Sequence, residues 1–369
     1  MRYLAVSLIC GLALAGLVQP EDPIPDPGQP GAPHRTLSLA EQDQFLRGRL
    51  LFDKDFLVGA GVGPVFNADS CRACHQDPVV GGAGGIDVQV QRPKIDVAGN
   101  LVSPVETGDL AQTHSIPGTP REEIPANVVF VEERNAPSLL GLGLVDLIAA
   151  QAIVANQDPN DTSPTDGIQG IAHILPGTIV GRFGWKANVP DLRSFVRDAL
   201  GNEMGITVPI TGNTFGFTAN DLDAAVEPEL KQDELDDIVF FLQMLDFAPK
   251  RPATAQTQQG GQVFNIIGCA KCHIPILDGV ELYSNLLLHN VHLSTFVGVT
   301  QGDATSGLYR TPPLRGLRDT APYFHDGRSE TIDAAIRRHD GEALGVRQTY
   351  ENTLSDAERA ALIAFLESL

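Results

Sequence analysis

Apolar residues in this chain keep a helical period in several short stretches, and one such stretch returns far downstream. In DELDDIVFFLQML (233–245), Ile238, Phe241, Leu242 and Leu245 fall at i, i+3, i+4 and i+7, which makes one helix face. Leu362, Phe365, Leu366 and Leu369 repeat that spacing in DAERAALIAFLESL (356–369), each 124 residues later. SLAEQDQFLRGRLLF (38–52) reads as a further helical start, and its GRLLF matches GGQVF (260–264) as G-x-x-[LV]-F. TIDAAIRRHDG (331–341) predicts a short helix, with Thr331 capping its start and Gly341 ending it. Ile332, Ala335, Ile336 and His339 share its apolar face. IDVQVQ and NVVFVEE, within 86–135, alternate weakly and predict short strands. GGAGG (81–85) and QDPNDTSPTDG (157–167) read as loops.

The cysteines give this repeat a chemistry. They fall at positions 10, 71, 74, 269 and 272, and the last four form CRACH (71–75) and CAKCH (269–273). C-x-x-C-H is the signal for covalent haem attachment, with the histidine as an axial iron ligand. A shuffled chain of this composition would hold roughly 0.002 such matches, against the two seen. Disulfides and zinc are the alternatives. Zinc needs four converging ligands, and the two pairs stand 195 residues apart. Cys71, Cys74 and His75 are therefore assigned to one haem, and Cys269, Cys272 and His273 to a second.

Helix, haem motif, ligand region and closing helix thus occur twice in order. The expected fold is mainly α, with two cytochrome c-like haem domains in tandem, the first carrying long insertions and some short strands. The N-terminal domain is placed at 38–248 and the C-terminal one at 249–369, with the boundary in DFAPKRPATAQTQ (246–258). Residues 20–37 are proline-rich and read as a linker. MRYLAVSLICGLALAGLV reads as a signal peptide ending near residue 19, which places the protein in the periplasm or outside the cell. The alternative is a retained membrane anchor, though the run is short for a span. No later stretch is apolar and long enough to cross a bilayer. Net charge is −20, which argues against nucleic acid and suits a basic or cationic partner.

Axial ligands separate the two haems. His339 is the candidate opposite His273, with His325, His289 and His292 as rivals. The three methionines stand at 1, 204 and 244, so none follows His273. For the first haem, no histidine follows His75 before His114, and the next is His173. Its sixth position is either open or taken by one of these two.

Several segments together carry a family resemblance. They are GPVFNADSCRACH, RNAPSLLGLGL, GRFGWKANVPDLRSF, GNEMGIT, GCAKCH, RTPPLRGL and TAPYFHDGRSETIDAAIRRHDGEA. They resemble the di-haem oxidoreductase family, also described as thiol oxidoreductases. That family is related to the bacterial di-haem cytochrome c peroxidases and to the di-haem enzyme that matures methylamine dehydrogenase. The resemblance implies that His339 is the distal ligand of an electron-transfer haem, a place usually held by Met. It implies that Glu203, in GNEMG, is the peroxidatic carboxylate beside the first haem, and that Trp185 relays electrons between the haems. It also implies one Ca²⁺ between the domains, held by the Asn135 side chain and the carbonyls of Thr320 and Pro322. A small soluble cytochrome or cupredoxin would be the electron donor. The chain departs from the peroxidases after His75, where GGAGGIDVQVQ replaces the region that supplies a removable distal histidine.

Two functions follow from these readings. The first is an exported peroxidase-like oxidoreductase, taking electrons at the C-terminal haem and reducing a peroxide or related substrate at the N-terminal haem. The second is a di-haem carrier or redox sensor with no catalysis of its own.

Overall fold

A computed structural model describes residues 23–97, 100–103, 110–162, 164–209, 223 and 225–369. The expected signal peptide and Cys10 lie outside the described residues. The helices are α1 (Leu39–Asp53), α2 (Leu142–Asp146), α3 (Ala150–Val154), α4 (Leu192–Met204), α5 (Gln232–Met244), α6 (Ala255–Ile267), α7 (Ile332–Arg338), α8 (Leu344–Asn352) and α9 (Asp356–Leu366). Short strands fill the insertions: β1 (Val65–Phe66), β2 (Val90–Val97), β3 (Asn100–Val102), β4 (His114–Ser115) and β5 (Phe130–Arg134). Paired hairpins follow as β6 (Ile174–Leu175) with β7 (Ile179–Val180), β8 (Ile276–Leu277) with β9 (Val280–Glu281), and β10 (Leu288–Asn290) with β11 (Leu308–Arg310). All pairings are antiparallel, with β2 between β3 and β5.

The repeat seen in the sequence is a repeat of packing. Helix α1 crosses α5, and α6 crosses α9. Each crossing closes on a glycine. A Cβ on Gly48 would stand 2.0 Å from the Asp237 carbonyl oxygen, and one on Gly260 would stand 1.9 Å from that of Ala361. Asp237 and Ala361 are themselves 124 residues apart. Phe52 packs on Phe241 at 5.5 Å between ring centroids, and Phe264 packs on Phe365 at 5.4 Å. The G-x-x-[LV]-F pattern is therefore a contact surface: the glycine lets two backbones touch, and the phenylalanine one turn on fills the space beside them.

Two apolar clusters result. One joins Phe45, Phe52, Phe241, Leu192 and Leu200 in the first half with Leu282 and Leu287 of the second. The other gathers Phe264, Leu314, Ile332, Tyr350, Leu362 and Leu366.

Two boundaries differ from the sequence reading. The proline-rich segment is not wholly a free linker: Ala32 is fully buried, His34 N–H donates to the Met244 carbonyl, and Asp246 N–H donates to that of Ala32. Its last residues thus cover the end of α5. Helix α7 is capped by Thr331 as expected, its hydroxyl accepting from Ala334 N–H at 3.1 Å, but it stops at Arg338, before Gly341. His339 turns extended there and donates from Nδ1 to the Ala335 carbonyl at 2.8 Å, satisfying an orphan acceptor of the last turn.

Candidate functional site

The first motif is a tight turn after α1, with His75 N–H donating to the Cys71 carbonyl at 3.1 Å. Cys71 and Cys74 are unpaired thiols, each pushed up to about 12, first by burial. His75 is pulled down to about 4 by burial, so its imidazole is neutral. Its Nδ1–H donates to the Gly82 carbonyl at 3.2 Å, and the Pro137 carbonyl also lies within its reach. Such a bond fixes the tautomer and leaves Nε2 to ligate. The GGAGG segment is more than a loop. A Cβ on Gly82 would stand 1.9 Å from the Asp77 carbonyl oxygen, and one on Gly84 would stand 2.4 Å from that of Cys74. The glycines let this strand of chain press against the motif from beneath.

Glu203 stands in the last turn of α4, whose start is capped by Asp191. Gly205 ends the helix at φ +74°, and a Cβ there would meet the Gly63 carbonyl oxygen at 2.1 Å, which accounts for the glycine of GNEMG. Burial pushes the Glu203 carboxyl up, while the hydrogen bond from Asn67 and the charge of Arg92 oppose it. Its charge also raises the Cys74 thiol, so the fold carries this glutamate to the first motif. Asp198, five residues earlier on the same helix, is pushed by burial to about 6.

His114 lies near the same place, on β4, exposed and stacked on Phe66 at 5.5 Å. His173 is committed elsewhere: it is buried, and its Nδ1 donates to the Lys186 carbonyl at 2.7 Å.

The second motif follows α6 directly, through Gly268 at φ +100°. Cys269 and Cys272 are unpaired. His273 is pulled down to about 3, by burial and then by the nearby His339, and its Nδ1–H donates to the Tyr283 carbonyl at 3.1 Å. His339 is also buried and neutral. Both line a cavity of about 280 Å³, whose walls include Cys269, Cys272, Phe264, Leu314, Ile332 and Leu366. Neutral imidazoles with tethered Nδ1 atoms, paired thiols and an apolar pocket fit a covalently attached haem held by His273 and His339. Of the rivals, His289 has both ring nitrogens taken, while His292 Nε2 is buried without a hydrogen-bond partner. His289 has Glu342 on Nδ1 at 2.8 Å and Asn285 on Nε2 at 3.0 Å. His325 stacks on Tyr309 at 4.0 Å, and His292 stacks on Phe296 at 4.0 Å.

PYFHDG explains how His339 is held. Asp326 is bound by Arg338 through the two terminal guanidinium nitrogens, at 2.8 and 2.5 Å. Phe324 packs 5.2 Å from the His339 ring. The loop therefore grips both Arg338 and His339.

The same cavity extends past Trp185 to Ala83, Ala136 and Pro137, beside the first motif. Trp185 donates from Nε1 to the Asn135 carbonyl at 2.9 Å, and its ring meets His325 edge-on at 6.4 Å. Asn135 is two residues before Pro137, whose carbonyl faces His75. Trp185 so bridges the wall shared by the two sites.

Asn135, Thr320 and Pro322 all line this cavity. Their arrangement does not fit a calcium ion. Ca²⁺ takes six to eight oxygens, whereas here Asn135 Oδ1 accepts from Gln89 Nε2 at 2.6 Å and Asn135 Nδ2 donates to the Pro322 carbonyl at 3.0 Å. Gln89 Nε2 also donates to the Asp326 carbonyl at 2.8 Å. Two of the three expected oxygens, Asn135 Oδ1 and the Pro322 carbonyl, already accept from amides, and the Asp326 carboxylate is bound by arginine. Gln89, like Asn67, was not singled out from the sequence; each acts through a partner at long separation, a pairing no local pattern reveals.

Comparison with known proteins shows the family. A family model described as "Di-haem oxidoreductase, putative peroxidase" matches residues 80–369. The chain belongs to the di-haem oxidoreductase family; its first C-x-x-C-H lies just before the matched residues. It is 28% identical over 116 residues to a cytochrome c551 peroxidase of Nitrosomonas europaea, covering 30% of this chain and 33% of that one. It is 30% identical over 124 residues to the cytochrome c peroxidase Ccp of Escherichia coli, covering 31% and 25%. The matched part thus spans a third or less of those relatives. Among solved structures, the diheme peroxidase BthA of Burkholderia thailandensis aligns at a TM-score of 0.46 with 15% identity, over 89% of this chain and 86% of that one. Among the described residues, no helix is long and apolar enough to cross a membrane.

Proposed function

We propose that this protein is a peroxidase-like di-haem oxidoreductase built from two cytochrome c-like units, 38–248 and 249–369, each carrying a covalent c-type haem. The observation that carries the reading is an asymmetry. Opposite His273 stands an imidazole, His339; beside the first motif stands a carboxylate, Glu203. Haem iron, when bound, would supply electron exchange at both sites and peroxide reduction at the first.

The chain's own residues do the rest. Cys71 and Cys74, like Cys269 and Cys272, would anchor the groups, and His75 and His273 would ligate them. His339 would be the second ligand of the second haem, which would confine that site to electron transfer. At the first, the Glu203 oxygen not bound by Asn67 accepts a proton from one peroxide oxygen and delivers it to the other, as peroxide cleavage requires. Trp185 provides the contact between the sites. Electrons enter at the C-terminal unit from a small soluble cytochrome or cupredoxin. The mature protein is exported or periplasmic, after removal of residues 1–19.

The test is peroxide-dependent oxidation of a small electron donor by the purified holoprotein. The wild type turns over; Glu203→Gln loses at least about two orders of magnitude while its haem absorption is unchanged. Equal turnover by the two proteins would reject the role of Glu203. No turnover by either would leave the carrier or sensor reading in its place.

A further inference from the structure

We propose that Asn67, locked in orientation by Thr113, is a positioning residue that sets the direction and charge of the Glu203 carboxylate. The inference rests on the reading of Glu203 as the proton-handling group of the first site.

Asn67 lies four residues before Cys71. Its backbone N–H and that of Ala68 donate to the Glu203 carbonyl at 2.7 and 3.3 Å, stapling this segment to the open end of α4. Its side chain does something separate. Nδ2 donates to Glu203 Oε2 at 3.0 Å. The other end of the amide, Oδ1, accepts twice from Thr113, from N–H at 3.1 Å and from the hydroxyl at 3.2 Å. A backbone N–H can only donate, so the amide must turn its oxygen to Thr113 and its NH₂ to Glu203. The orientation is dictated by chemistry.

Thr113 is held in turn. Arg121 donates to its carbonyl, and His114 Nδ1 lies 2.9 Å from its hydroxyl. With the hydroxyl proton given to Asn67, His114 Nδ1 is the donor in that contact. The register brings these residues together: β1 pairs with β4 with Phe66 opposite His114, which places Asn67 beside Thr113. The chain thus returns 46 residues later, at Thr113, to hold one amide.

The consequence follows from what else faces Glu203. Burial and Asp198, on its own helix, favour the neutral acid; Arg92, from β2, favours the charged form; Cys74 lies on the motif side. A hydrogen bond donated to a carboxylate favours its charged form. It also leaves one oxygen for the substrate and fixes where that oxygen points. Without Asn67, burial is opposed by Arg92 alone and the side chain regains its rotamers.

The test is a difference-infrared pH titration of the full-length holoprotein without peroxide. The Glu203 band is the protonated-carboxyl band lost in Glu203→Gln. In Asn67→Leu its midpoint should rise by about one pH unit, a tenfold change in protonation; in Thr113→Val, which keeps the backbone donor, it should rise less. Asn67→Asp, an acceptor in place of a donor, should rise most. Thermal midpoints and haem absorption serve as controls for folding, and Thr113→Val carries the test if Asn67→Leu does not fold. An unmoved midpoint in folded Asn67→Leu and Thr113→Val overturns the proposal, whatever the turnover. A moved midpoint in a protein whose turnover is indifferent to Glu203→Gln upholds the contact and overturns the peroxidase reading instead.

Discussion

His339 and His273 line one apolar cavity, close enough that His339 helps to hold His273 neutral. Each is steered by a backbone carbonyl on Nδ1, at 2.8 and 3.1 Å. The two therefore present Nε2 atoms to a common space. His339→Ala should convert the second haem from low spin to high spin, read by electron paramagnetic resonance. His339→Met should restore low spin and raise the potential of that haem, because a thioether ligand favours the reduced iron; potentiometric titration checks the sign.

Asp326 ties the PYFHDG loop to Arg338, one residue before His339. Burial would raise its carboxyl, but the Arg338 hydrogen bonds hold it below the usual range. A depressed folded value means that its stabilisation is complete above the unfolded value and is lost as pH falls through the lower, folded one. Asp326→Asn should cost about 2 kcal/mol at neutral pH, and its loss of stability relative to wild type should shrink below about pH 4. Thermal melts across that range measure both.

Gly48 and Gly260 make the two helix crossings. Gly48→Ala and Gly260→Ala should each cost about 1–3 kcal/mol by overpacking, since the added carbon meets backbone oxygen at 2.0 and 1.9 Å. Gly261→Ala is the internal control: its nearest neighbour is the Phe365 ring at 3.3 Å, and alanine favours helix. Denaturant melts should rank the three in that way.

Much of this was legible in the sequence. The G-x-x-[LV]-F pattern, its return far downstream and the Thr331 start of α7 are patterns that a single chain displays, whereas His339 stands just past the helix that was expected to bear it. The shape of the joint around Asn135 was not. The family resemblance implies calcium at Asn135, Thr320 and Pro322; the structure adds Gln89, 46 residues from Asn135, whose amide donates to the Asn135 side chain. Asn67 was likewise present in GPVFNADSCRACH, yet only its pairing with Thr113 and Glu203 shows its use.

The amide-filled joint predicts indifference to metal. Adding or chelating calcium should leave the melting temperature unchanged, while Gln89→Ala should lower stability by about 1 kcal/mol for the contacts it loses. Micromolar calcium binding by calorimetry, with a matching rise in melting temperature, would contradict that arrangement.

The asymmetry of the two sites is the centre of the account. Low-temperature electron paramagnetic resonance of the oxidised, two-haem protein tests it most directly. The account predicts one low-spin signal, abolished by His339→Ala, together with a high-spin signal from the haem at His75. Two low-spin signals in the wild type would mean that both irons are closed, and would contradict it.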